Sequence, residues 1–137
     1  MKRQNDGTTG QYKRFGELKM LLAPFTHTMD VLVDQRDSYY LSFPNEEIFG
    51  AMAGGMFAAV QIKNETVDLY IYSLMNHREI ISEELRKEVE GIIDVKGVIH
   101  LYRLDKYLKE TIAEILHISA FNVIENNVVS TENHREQ

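Results

Sequence analysis

Two runs rich in β-forming residues, Met56 to Lys63 and Val67 to Leu74, are separated only by Asn64-Glu65-Thr66. A connection that short can join two strands only as an antiparallel hairpin, because parallel strands need a crossover of a dozen residues or more. An isolated hairpin is marginal in water, so the rest of the chain must supply further strands or a helix to cover its apolar face.

The flanking segments supply both. Tyr12, Phe15, Leu18 and Leu22 recur at three- and four-residue steps and define one face of a helix, with Thr8 or Thr9 placed to cap it. Pro24 cannot continue the hydrogen-bond ladder and disfavours the α region at Ala23, so that helix stops or bends there. Met29, Val31 and Val33 alternate with Asp30, Leu32 and Asp34, and Tyr39 to Phe43 is an aromatic run after the turn-prone Gln35 to Ser38. These read as two strands. Pro44 to Gly55 is a glycine-containing connector with one helical turn at Glu46 to Phe49.

Beyond the hairpin, Ile80, Ile81, Leu85 and Val89 carry helical spacing, with Gly91 as the C-terminal cap. Val98 to Leu104 reads as a strand, and Asp105 caps a last helix whose face is Leu108, Ile112, Ile115, Leu116 and Ser119. The expected fold class is α+β, an antiparallel β-sheet with helices packed on one face and the element order α-β-β-β-β-α-β-α. Residues 11–125 form one domain, and residues 1–10 and 126–137, rich in polar and charged side chains, read as disordered tails.

Composition removes several function classes. The chain of 137 residues has no cysteine, which eliminates disulfides, thiolate nucleophiles and sulfur-ligated metals and fits a reducing compartment, so a cytoplasmic location is expected. The first ten residues have no apolar stretch behind Lys2 and Arg3, so no signal peptide is expected. The uncharged run Ile48 to Ile62 is broken by Gly50, Gly54 and Gly55 and is too short to cross a bilayer. A formal net charge of −6 with scattered cations repels phosphate backbones, which argues against a nucleic-acid partner.

Three segments taken together carry a resemblance: Asp34 ahead of the Tyr39-Tyr40-Leu41 strand, the Met56 to Met75 hairpin, and Ser82 to Gly91 followed by Lys96. As a set, over roughly Phe15 to Phe121, the chain resembles the YdhG-like family of small bacterial domains of unknown function. The resemblance implies a fold similar to that of secretion chaperones, and some members of that family are described as frataxin-like iron chaperones. The chain departs from the family pattern at Ser73, where the family has a strand-end histidine, and at Glu83, where it has proline. Four residues, Ile92 to Val95, also separate Gly91 from Lys96. A site built on that histidine therefore does not carry over.

The five histidines, His27, His77, His100, His117 and His134, fall at no i,i+4 or HxH spacing, so a zinc site has no support from spacing. The acidic set Glu79, Glu83, Glu84, Glu88, Glu90 and Asp94 is what an iron carrier needs, because hard iron favours carboxylates, but Arg86 and Lys87 interleave with it. Glu83 and Lys87 form a favourable i,i+4 pair, the pattern of a solvated helix face. No nucleophile elbow, HExxH or phosphate-loop motif is present. Seven tyrosines and no tryptophan are the compositional oddity, and on strands tyrosine packs its ring while keeping its hydroxyl wet. Met52, Met56 and Met75 add adaptable apolar surface around the glycine connector.

These observations favour a non-enzymatic binding module for a small molecule or protein, with Asp34, Tyr40, Tyr72, Lys96 and His100 as candidate ligand-binding residues at one face or end of the sheet and no cofactor. The alternative is a frataxin-like iron carrier using Glu79, Glu83, Glu84 and Glu88, and a small-molecule enzyme is the third reading. An aromatic-rich sheet of limited width leaves an edge or face that a homodimer would cover.

Overall fold

A computed structural model describes the backbone of residues 7–135 and the side-chain surroundings of residues 9–50 and 52–121. In chain order the elements are α1 (Gly7–Leu22), a 3-10 turn (Ala23–His27), β1 (Asp30–Gln35), β2 (Ser38–Ser42), a second 3-10 turn (Glu47–Met52), β3 (Met56–Ile62) and β4 (Val67–Ile71). Then come α2 (Tyr72–Asn76), a third 3-10 turn (Arg78–Ile80), α3 (Glu83–Glu88), β5 (Ile99–Leu101) and α4 (Lys106–Arg135). The five strands form one sheet in sequential order, each antiparallel to its neighbour.

The register explains the core. Leu41 sits opposite Ala58, Val60 opposite Leu69, and Val67 opposite Leu101, so these side chains share one face of the sheet. Phe15, Leu18 and Leu22 of α1 and Ile112, Ile115 and Leu116 of α4 bury against them in a single cluster. Helices therefore cover that face. A register shift between Leu41 and Ser42 lets Phe57 turn fully inward, where it packs edge-on against Phe43 at 5.5 Å between ring centroids.

The element order departs from expectation in one place. A strand was expected to run to Leu74, but β4 ends at Ile71 and the next five residues form α2. Ser73 and Leu74 are both buried. The following helix is also shorter than its periodicity suggested, since Ser82 caps it by accepting from the Leu85 amide at 3.2 Å and α3 ends at Glu88. Gly91 is thus not its C-cap; Val89 is, with its N–H turned back onto the carbonyls of Arg86 and Lys87. Ile80 and Ile81 precede the helix and join the core from extended and 3-10 backbone.

Thr8 and Thr9 lie inside α1, which starts at Gly7, and so do not cap it; Pro24 and Asp105 act as their chemistry dictates. α1 ends at Leu22 and tightens to 3-10 geometry across Pro24. Asp105 caps α4 by accepting from the Leu108 amide at 2.8 Å. Replacing Asp105 by alanine is expected to lower stability by about 1 kcal/mol, read from the urea midpoint at constant slope. Helical backbone starts at Gly7 and continues to Arg135, so it enters both stretches that composition marks as polar tails.

β1 is an open edge, and its apolar residues do not behave as alternation predicts. Val31 and Leu32 are both exposed, because the register shifts between Val31 and Val33 and takes Leu32 out of the ladder. No helix of the described residues is long and apolar enough to cross a membrane.

Candidate functional site

The face of the sheet turned away from α1 and α4 is polar and aromatic. In register, Ser38 lies opposite Gln61, Gln61 opposite Asp68 and Asp68 opposite His100, which draws one polar row across four strands. A second row runs through Tyr40, Ala59 and Tyr70, and Tyr72 continues it at the start of α2. Tyr40, Tyr70 and Tyr72 are half-buried.

The phenols are joined into a network. The Tyr70 hydroxyl donates to Gln61 Oε1 at 3.4 Å, and Gln61 Nε2 donates to the Tyr40 hydroxyl. Tyr70 and Tyr72 stack with centroids 6.3 Å apart and planes inclined by 18°. Burial pushes the Tyr72 phenol above its ordinary range, with further push from Tyr40 and Tyr70 beside it. Tyr72 therefore stays neutral at physiological pH, and its hydroxyl can both donate and accept.

His100 is held from both sides. Its Nδ1 lies 2.9 Å from Asp68 Oδ1 and its Nε2 2.8 Å from Asp94 Oδ2. Both ring nitrogens face carboxylate oxygens, an arrangement satisfied in full only by the imidazolium form, in which both are donors. The hydrogen bond to Asp94 is the chief cause of a raised His100 pKa, opposed by burial and assisted by Asp68. The Asp94 pKa is lowered, first by His100 and then by the Val98 backbone N–H.

Local structure places each partner. Asp68 is buried at 5% exposure and also accepts from Thr66 Oγ1 at 2.6 Å. Asp94 opens a turn in which the Gly97 N–H donates to the Asp94 carbonyl at 3.0 Å, while Asp94 Oδ1 accepts from the amides of Lys96 and Val98 at 2.9 and 3.0 Å. Arg78 braces the outside of that turn through Nη2, which donates to the Asp94 carbonyl at 3.0 Å and to the Val95 carbonyl. The turn is thus clamped between the sheet and the segment after α2.

Of the residues expected to form a site, Tyr40, Tyr72 and His100 come together on this face. Asp34 does not: it lies opposite Tyr39 on the helix-covered side, where Lys19 Nζ approaches it at 2.6 Å. Lys96 does not either, since its exposed position in the turn contributes only a backbone amide. The acidic set is dispersed. Glu79 faces His77 at 3.5 Å, Glu83 lines a cavity beside Arg86, and Glu84 and Glu88 line a cleft with Glu110 and Glu114 of α4. Among the described residues no ion pair joins Glu83 to Lys87, and no group of three or more carboxylates and imidazoles could hold a metal.

Asp68, Gln61 and Tyr70 are the partners that sequence reasoning missed. Their signal was parity, because in adjacent antiparallel strands Asp68 between Val67 and Leu69, and His100 between Ile99 and Leu101, must share the face opposite the core. Comparison with family models, with curated proteins and with solved structures finds no match to this chain.

Proposed function

We propose that the protein is a non-enzymatic binding module whose ligand docks on the helix-free face of the sheet. The observation that carries this is the convergence of Tyr40, Gln61, Tyr70 and Tyr72 beside the Asp68–His100–Asp94 bridge. A general base needs a ring nitrogen free to take a proton, and both nitrogens of His100 are already engaged by carboxylates. That favours recognition over catalysis. Two carboxylates and one imidazolium leave a negative surplus next to half-buried phenol rings, which suits a planar, cationic group stacking on Tyr70 or Tyr72.

The expected result of titrating the protein with benzamidine, a planar cation, is saturable movement of the NMR signals of Tyr40, Tyr70, Tyr72 and His100. Replacing Tyr40 and Tyr72 together by alanine is expected to weaken that binding about tenfold, about 1.4 kcal/mol. Perturbation confined to the α3–α4 cleft, or no saturation, would remove this reading.

A further inference from the structure

A second site lies off the sheet. Between Leu74, Ile81, α3 and Ile93 is a cavity of about 320 Å³. Its floor is apolar: Leu74, Ile81 and Val89 are exposed by only 1–3% and belong to the hydrophobic core. Its rim is charged, with Arg78, Arg86 and Lys87 against Glu83 and Glu90. In a chain of net charge −6, this is a place where cations outnumber carboxylates.

The cations are available and one is fixed. Arg78 spends Nη2 on the carbonyls of Asp94 and Val95, which pins the guanidinium at the rim without neutralising it. Arg86 and Lys87 stand in the last turn of α3, and neither has an ion-pair partner among the described residues. An apolar floor by itself selects shape, and a cationic rim by itself selects charge. Together they select an anion with an apolar body.

We infer that this cavity binds a small amphiphilic carboxylate, with its short aliphatic or aromatic body on Leu74, Ile81 and Val89 and its carboxylate toward Arg78 and Arg86. The volume is at the low end for small-molecule sites, roughly 300–1,000 Å³, so the body is short and a long-chain lipid is excluded. A bare inorganic anion gains nothing from the floor. A neutral analogue gains nothing from the rim.

The test uses three probes with the full-length protein: sodium octanoate, 1-octanol and sodium sulfate, each titrated while methyl and amide NMR signals are followed. Octanoate is expected to bind saturably and to move Leu74, Ile81, Val89 and Ile93, with octanol at least about tenfold weaker and sulfate without effect at this cavity. Replacing Arg86 and Lys87 together by methionine keeps the exposed helix while removing charge, and is expected to weaken octanoate about tenfold and leave octanol unchanged. Arg78→Met is expected to weaken octanoate further, with the fold checked by the dispersion of core methyl signals. Equal binding of octanol and octanoate, octanoate binding insensitive to the Arg86/Lys87 change, shifts located on the tyrosine face instead, or no saturation would each overturn the assignment.

Discussion

Replacing His100 by leucine is expected to cost about 2–3 kcal/mol of stability and to remove most of the protein's loss of stability as pH rises through the His100 titration. The cost comes from Asp68 more than from the histidine. Asp68 is nearly sealed from solvent, and without the imidazolium its carboxylate keeps only the Thr66 hydroxyl on the same oxygen. Removing one member of a buried charged pair typically costs about 3–5 kcal/mol, and the figure is lowered here because the His100 side chain is 31% exposed.

The direction of the pH dependence follows from two opposite shifts. His100 has a pKa raised above 6.5 by Asp94 and Asp68, so its contribution is complete below the unfolded value and is lost as pH rises through the folded one. Asp94 has a pKa lowered below 3.8, so its contribution is complete above that value and is lost as pH falls through the folded one. Stability should therefore be greatest in weak acid and fall both below the carboxylate range and as His100 deprotonates. Above that point a neutral ring can donate to only one of its two carboxylates, so one of the two contacts is lost. Urea unfolding of wild type, His100→Leu and His100→Gln across weakly acidic to alkaline pH checks this, since glutamine can restore one hydrogen bond but not the pH dependence. A wild-type curve that stays flat as His100 deprotonates would refute it.

Features that act within a few residues of chain were legible from sequence, and features that act across the sheet were legible only as parity. Pro24 and Asp105 end and start helices through their own backbone and side-chain chemistry, and the 56–71 hairpin follows from its short connection. α2 was not legible, because Tyr72 to Leu74 continue a β-rich run and nothing in their own residue types marks the change to helix. Gly91 looked like a cap because glycine usually is one, yet α3 stops earlier and none of the positive-φ glycines is Gly91. The same limit governed the site. Tyr40 and His100 share the face opposite the core through the parity of their strands, and Tyr72 joins that face from the start of α2, where it stacks on Tyr70. Asp34 sits on a strand too, but the irregular β1 register sets it opposite Tyr39, toward Lys19. His100 finds partners 32 and 6 residues away, and no local pattern records such distances.

Gly97→Ala is expected to be the most damaging single methyl group that can be added to the protein near this site, at about 2–4 kcal/mol. Gly97 has φ +91°, a backbone conformation that costs an L-residue about 1–2 kcal/mol. A Cβ there would also lie 3.0 Å from the Met75 Cα and 3.2 Å from its Cγ. The nearest atom is backbone of α2, so the contact is relieved only by moving the turn. That turn is what presents Asp94: the Gly97 amide closes it onto the Asp94 carbonyl, and the Lys96 and Val98 amides fix the carboxylate aimed at His100. Displacing it should therefore lower the His100 pKa toward 6.5 as well as reduce stability, a coupled change that a loss of packing elsewhere would not produce. Trimming the neighbour in Gly97→Ala/Met75→Ala should recover only part of the loss, because the clash with the Met75 Cα remains. Imidazole proton shifts followed against pH, together with urea midpoints for the single and double variants, measure both effects, and an unchanged His100 titration in a destabilised Gly97→Ala would break the link between the turn and the histidine.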